Sequence, residues 1–182
     1  MKRLEKSIKS IAKEKGFKAI SNSLYQLVDD IYIIVDFLIV GDSLRYNISV
    51  KKRIYDDLFW EIMGFDNFVK RESIRINGAF SAPRIYIHSG DITVIEESDV
   101  ALFFSQISED IIKYKGIFKR LGDYVIESYD GVDSEIIKCL ELISNRDFSM
   151  ALKVAKKRIQ KGDNGRFINE NKSFYERIVE MY

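Results

Sequence analysis

The feature that most constrains this chain is a change in hydrophobic periodicity along its length. Residues up to about Val94 show the two-residue alternation and the β-branched and aromatic content that are typical of strands. From Ser98 onward, apolar residues recur every three or four positions, as they do on the buried face of a helix. Strands followed by helices indicate an α+β protein, in which helices pack on an antiparallel sheet.

The first half of the chain predicts an antiparallel meander. An amphipathic helix that ends at Gly16 is followed by short strands at 17–20 and 23–28 and by a long strand over Ile31–Val40. The next strand, Leu44–Val50, alternates apolar and polar residues, so one face of the sheet is expected to be dry and the other wet. Further short strands are predicted at 73–77, 84–88, 92–95 and 124–128.

The second half predicts a long helix and a helical group. Ser98 is expected to cap a helix that runs to Lys119 and lays its apolar stripe on the dry face of the sheet. Three more helices are predicted at 134–144, 148–161 and 172–182. We therefore predict an α+β fold: an antiparallel meander sheet of about six strands covered by a long helix, with a C-terminal helical group. Residues 1–130 are expected to form the sheet domain, and residues 131–182 a helical extension packed on it.

Composition narrows the setting in which the chain works. The 182 residues are 46% hydrophobic, which is too apolar for disorder, and a net charge of +1 gives no overall field toward nucleic acid or acidic membranes. The single cysteine favours a reducing compartment, and the charged N-terminal helix differs from a secretion signal. The longest apolar run, Ile31–Val40, is about half of a membrane span. These features predict a cytoplasmic protein without a membrane or nucleic-acid partner, and they leave its oligomeric state open.

Residues that build familiar reaction centres are scarce. The one histidine, His88, would need a nucleophile and an orienting acid to act as a general base, and the sequence offers neither beside it. The one cysteine, Cys139, lies near the edge of an apolar helical stripe, where cysteine is usually a core residue. A zinc site would need more imidazole or thiol ligands than the chain contains. We predict no catalytic residues, no cofactor and no metal site.

Clusters of carboxylates keep an enzymatic alternative open. They lie at Asp29-Asp30, at 56–61 and at 96–99. Two acids beside a cleft could hold a divalent cation or act as acid and base, so the alternative is a divalent-metal-dependent hydrolase or nucleotide-processing enzyme. All three clusters nevertheless coincide with a predicted turn or helix start, where Asp and Glu are favoured for backbone reasons.

One acid, Asp36, differs from these clusters because it interrupts an apolar strand. If Asp36 faces the core, it must have a polar partner. If it faces outward, it lies with Ile34 and Leu38 on the less covered side of the sheet, which then becomes a candidate binding surface.

The most unusual stretch is the aromatic and acidic segment at 55–68, with five aromatic residues and four acids in fourteen positions. A helix that is apolar on nearly every side must be enclosed or must meet another molecule. Trp and Tyr ringed by charge are common anchors at interfaces, whereas burial against the sheet is the alternative. The partner-binding residues predicted from this segment are Tyr55, Asp56, Asp57, Trp60 and Glu61.

Several short stretches of the chain resemble a group of small bacterial proteins of unknown function. The matching residues are Lys15-Gly16-Phe17, Leu24-Tyr25, Val35-Asp36-Phe37, the segment Tyr55–Trp60, and Gly162, Gly165 and Phe167 before the last helix. Some members of that group are suspected immunity partners of bacterial toxins. The resemblance implies a class and a protein partner, and it brings no catalytic residue. The leading prediction is therefore a non-enzymatic cytoplasmic protein-binding module, such as an immunity or regulatory protein.

Overall fold

The fold is α+β, as the sequence predicts. The computed structural model describes residues 2–65, 71–93 and 96–182, and the chain is about 52% helical and 24% strand. The main sheet is an antiparallel meander with the strand order β1-β2-β3-β4-β5. Its strands are β1 (Lys18–Ile20), β2 (Ser23–Val28), β3 (Ile31–Val40), β4 (Ser43–Lys52) and β5 (Ile85–Thr93). A second sheet pairs β6 (Ile168–Asn169) with β7 (Lys172–Ser173).

Eight helices are described within the same ranges of the chain. They are α1 (Lys2–Glu14), α2 (Arg53–Met63), α3 (Glu72–Asn77), α4 (Val100–Lys119), α5 (Leu121–Glu127), α6 (Ser134–Ser144), α7 (Phe148–Gln160) and α8 (Phe174–Met181). The long helix and the C-terminal helical group therefore confirm the predicted architecture. Within these ranges, no helix has both the length and the apolar composition that a membrane crossing requires.

A tight turn sets the register of the first strands. Asp29 and Asp30 both have positive φ, 49° and 63°, which suits the two-residue turns whose twist matches that of a hairpin. The turn brings Val28 opposite Ile31 and, further along, Ser23 opposite Asp36. Because side chains alternate between faces, this register also decides that Asp36 and Leu38 share one face of the sheet.

Two of the shorter strand predictions were wrong. Residues 73–77 lie in α3 and most of 124–128 lies in α5, because short runs rich in isoleucine or valine fit either secondary structure. The two strands predicted at 84–88 and 92–95 are joined, because residues 89–91 belong to the continuous strand β5 instead of a turn. Gly90 serves close packing there, since a Cβ atom at this position would collide with the ring of Tyr46. Residues 94–95 of the last predicted strand lie outside the described residues.

The chain divides into two compact units. Unit 1 consists of residues up to Val50 together with Tyr86–Arg120, and unit 2 consists of Lys51–Ile85 and Leu121–Tyr182. The divisions between the compact units fall after residues 50, 85 and 120. They describe compactness and do not test the predicted domain boundary near residue 130, which stays a prediction.

The core of unit 1 lies between the sheet and its helices. Phe103 of α4 meets Phe37 edge-on at 6.3 Å between ring centroids and Tyr46 at 5.7 Å. Ile107, one turn later on the same helix, is fully buried. This is the dry face that the apolar stripe of the long helix predicts.

Unit 2 is a helical unit built around α2, which packs against α6 and α8. Phe59 stacks on Phe174 at 5.8 Å and meets Phe167 edge-on at 4.8 Å. Ser173 caps α8 in a capping box with Glu176, so the last helix begins with its backbone donors satisfied.

Candidate binding surface

The aromatic and acidic segment forms α2, and most of its predicted binding residues are internal. Tyr55, Asp56 and Trp60 are fully buried, whereas Asp57 is partly exposed and Glu61 is exposed. Three of the five predicted partner-binding residues therefore cannot reach a partner in this structure. These three residues follow the alternative interpretation of the segment, which is burial. Asp57 and Glu61 are the two members of the predicted set that remain accessible.

Trp60 is enclosed by polar contacts as well as by apolar ones. Its indole Nε1 donates a hydrogen bond of 2.6 Å to the carbonyl oxygen of Phe80, which satisfies the donor that burial would otherwise leave unpaired. The guanidinium of Arg75 lies 4.7 Å from the ring centroid, within the range of a cation–π contact. Trp60 is thus an anchor inside unit 2, not on its surface.

The cation that balances the buried acid is Lys51, at the end of β4. Its Nζ donates hydrogen bonds to Asp56 Oδ1 at 2.7 Å and to the carbonyl oxygen of Arg75 at 2.5 Å. Asp56 Oδ1 also accepts from the backbone N–H of Ala82 at 2.8 Å. Burial lowers the pKa of Lys51 to about 8 and raises the pKa of Asp56, while their mutual attraction opposes both shifts. These groups hold α2, α3 and the segment after α3 together.

A second buried acid, Glu141, is also fully engaged. It accepts hydrogen bonds from Lys52 Nζ at 2.7 and 2.8 Å, from the Tyr55 hydroxyl at 2.7 Å and from Asn145 at 3.1 Å. Burial alone would raise the pKa of Glu141, but the hydrogen bonds from Lys52 and Tyr55 hold it below its usual value. The Glu141 carboxylate ties α6 to α2, which is a structural role.

The histidine has neighbours that the sequence analysis missed. His88 Nε2 lies 3.6 Å from Asp110 Oδ2, and the Tyr114 hydroxyl lies 3.5 Å from His88 Nδ1. Tyr46 donates a hydrogen bond of 2.5 Å to the same Asp110 oxygen, and burial, followed by this hydrogen bond, raises the pKa of Tyr46. The four side chains join β4 and β5 to α4.

The signal for this cluster was present in the sequence. Asp110 and Tyr114 are four residues apart on α4, so they lie on one face of the helix, and that face meets the sheet. Among the contacts described for His88 there is an acid to orient it, but no serine or cysteine that it could activate. The arrangement explains how His88 is held between β4, β5 and α4.

Cys139 has the setting of a core residue. Cys139 is fully buried, and burial raises the pKa of its thiol to about 12, whereas a reactive cysteine needs a lowered pKa. Among residues 2–65, 71–93 and 96–182, no group of three or more His, Cys, Asp or Glu side chains is placed to hold a metal ion.

The wet face of the sheet in unit 1 carries a concave surface of about 590 Å³. We call it the open sheet surface. It is lined by Asp36, Phe37, Leu38, Arg45, Tyr46, Asn47, Ser89, Gly90 and Asp91, which come from the neighbouring strands β3, β4 and β5. Leu38 is 55% exposed there, although Ile34, on the same face of the same strand, is fully buried. The sequence predicts a candidate binding surface on this face of the sheet. In the structure, the part of the face around Leu38 is accessible.

Polar groups border the exposed leucine on the open sheet surface. Asp36 accepts a hydrogen bond from Ser23 across the β2–β3 pair. Asp91 accepts from the Ser43 hydroxyl at 2.9 Å and lies 3.4 Å from Arg45 Nε. Two acids therefore line one concavity, but each already has a partner of its own. An accessible apolar side chain inside a concavity with a polar border has the layout of a small binding surface, in which an apolar centre is surrounded by a polar rim.

Comparisons with protein-family models, with curated proteins and with solved structures found no match to this chain. The resemblance to small bacterial proteins therefore stays a prediction from the sequence.

Proposed function

We propose that this chain is a non-enzymatic protein-binding module, and that its partner docks on the open sheet surface. The observation that carries the proposal is the accessibility of Leu38, which is 55% exposed beside Asp36, Arg45 and Asp91. Anchors of this kind contribute most when an apolar side chain is desolvated inside a polar rim. An immunity or regulatory protein is the finer form of this proposal, and it rests on the resemblance alone.

The chemistry of the surface also describes the partner. Because Arg45 lies against Asp91, the Arg45 side of the concavity is close to neutral. A complementary partner would place an apolar side chain over Leu38 and polar groups around it, facing the rim of the concavity.

The experiment measures binding of the full chain to the products of the genes that flank its own gene. We compare the wild type with Leu38→Arg, and with Leu102→Arg as a matched control, because Leu102 is a similarly exposed leucine (60%) on α4 of the same unit. We expect the wild type and Leu102→Arg to bind alike and Leu38→Arg to lose at least about tenfold in affinity, since one buried apolar anchor contributes more than about 1.4 kcal/mol.

A third variant, Glu61→Lys, tests the surface that was predicted from the sequence. Glu61 is exposed on α2, so its charge can be reversed without entering the buried network. If Glu61→Lys alone abolishes binding, the partner docks on α2 and the open sheet surface is not the site. If none of the gene products binds, or if Leu38→Arg binds like the wild type, the proposal is wrong.

A further inference from the structure

The two edges of the main sheet differ in how much pairing surface they offer. At one edge, β1 is three residues long. At the other edge, β5 runs for nine residues, and its only partner strand within the described residues is β4. No turn or loop backbone in those residues bonds to β5 either. A strand of this length that is paired on one side only, as β5 is within residues 2–65, 71–93 and 96–182, presents a row of backbone donors and acceptors to another strand.

The sequence of β5 carries little of the protection that isolated edges usually have. Natural edges are guarded by charged side chains such as lysine, by proline, by bulges or by a covering helix or loop. Residues 85–93 contain no lysine and no proline. Their one carboxylate, Asp91, is engaged by Ser43 and Arg45 of the neighbouring strand. The edge is therefore open to pairing, and its backbone groups require an extended strand as the occupant.

We propose that the occupant is a second copy of this chain, whose β5 pairs antiparallel with the first about a two-fold axis at Ser89. A two-fold axis perpendicular to the sheet places the same face of both copies on the same side of the joined sheet. Opposed side chains must lie on one face, so odd-numbered residues lie opposite odd-numbered ones and even-numbered residues opposite even-numbered ones. With the axis at Ser89, Tyr86 of one copy faces Ile92 of the other, which makes two aromatic–β-branched pairs.

The same register avoids the pairings that would oppose association. Asp91 of one copy lies opposite Ile87 of the other, so the two Asp91 carboxylates are about 13 Å apart along the strands. Tyr86 is 50% exposed in the single chain, and the pairing with Ile92 would cover part of its ring. Two five-stranded sheets would then form one continuous sheet. This inference concerns the edge of the sheet and does not depend on the proposed partner of its face.

The oligomeric state is measured first, by sedimentation velocity on the full chain from micromolar to millimolar concentration. We expect a concentration-dependent species of twice the 21.2 kDa monomer mass. Tyr86→Lys puts an unpaired charge on the free edge and should weaken the dimer at least tenfold. Leu102→Lys, which alters an exposed side chain on α4, should leave the dimer unchanged. A chain that stays monomeric at every concentration overturns the proposal.

The register is tested by disulfide cross-linking in a Cys139→Ala background, which removes the natural thiol. Ser89→Cys should form a disulfide-linked dimer on mild oxidation, because directly opposed Cα atoms lie about 4.5 to 5.5 Å apart, within disulfide range. Thr93→Cys, on the same strand and also exposed, is the control, since its two copies would be about 27 Å apart.

Circular dichroism and thermal unfolding of each cysteine variant confirm that it folds. A folded Ser89→Cys variant that cross-links no faster than Thr93→Cys overturns the proposal. Faster cross-linking at Thr93 overturns it as well, because it places the axis elsewhere. Preferential cross-linking at Ser89 that Tyr86→Lys suppresses supports it.

Discussion

The buried contacts around Asp56 in unit 2 and the open sheet surface of unit 1 both combine acids with apolar side chains, yet the acids have opposite surroundings. In unit 2, Asp56 is fully buried because Lys51 and the Ala82 N–H meet it. In unit 1, Asp36 is half-buried beside an exposed leucine. An aromatic and acidic composition therefore does not mark a surface by itself. The Asp56 site shows that an acid can be buried completely where the fold supplies a cation and a backbone donor to it.

Removing one acid from each region should lower the stability by very different amounts. Asp56→Ala leaves the Lys51 ammonium buried without its counter-ion, so we expect it to lower the free energy of unfolding by about 3–5 kcal/mol. Asp36→Ala removes the acceptor of a partly exposed hydrogen bond and should cost about 0.5–1.5 kcal/mol. Urea denaturation of both variants measures the two losses. Equal losses would show that the two acids have the same role.

The burial of Lys51 also predicts how the free energy of unfolding depends on pH. Burial lowers the pKa of Lys51 from 10.5 to about 8, so between these values the unfolded chain binds a proton that the folded chain has released. The free energy of unfolding contributed by Lys51 therefore rises as pH increases from about 8 toward 10. Above pH 10 the buried tyrosines oppose this rise, since burial raises the pKa of Tyr46 and Tyr55 and the unfolded chain loses their protons first.

The measurement is the urea midpoint of the wild type and of Lys51→Met at pH 7 to 9.5. The wild type should gain stability over this interval relative to Lys51→Met, because the variant has no ammonium to deprotonate at that position. A Lys51→Met protein whose stability follows the wild-type pH dependence would contradict the assignment of the shifted proton to Lys51.

Local signals in the sequence account for the helices and for most of the sheet. The period of the apolar residues and the turn residues predicted the meander, the long helix and α6 at residues 134–144. They failed for α3 and at Gly90, where tertiary contacts decide. Gly90 looked like a turn residue because glycine permits turns, but in β5 it makes room for the ring of Tyr46.

The site was predictable only in part, because it depends on pairings between distant residues. The sequence marked Asp36 and Leu38 as sharing a face, since alternation along one strand is a local property. It could not bring Arg45 to Asp91, because this pair depends on the register between two strands that are far apart in the sequence. His88 looked isolated for the same reason, as its acid, Asp110, comes from a helix 22 residues later.

The smallest loss of stability is expected for Leu38, which can be compared directly with Ile34 on the same strand. Leu38 and Ile34 point to the same face of β3, but Leu38 is 55% exposed and Ile34 is fully buried. Leu38→Ala should change the free energy of unfolding by less than about 0.5 kcal/mol, whereas Ile34→Ala should lower it by about 2–5 kcal/mol through lost burial and a cavity. Denaturant unfolding of both variants measures the ratio. A loss above about 2 kcal/mol for Leu38→Ala would mean that this side chain is covered by the chain itself, and the open sheet surface would then have no apolar anchor to offer a partner.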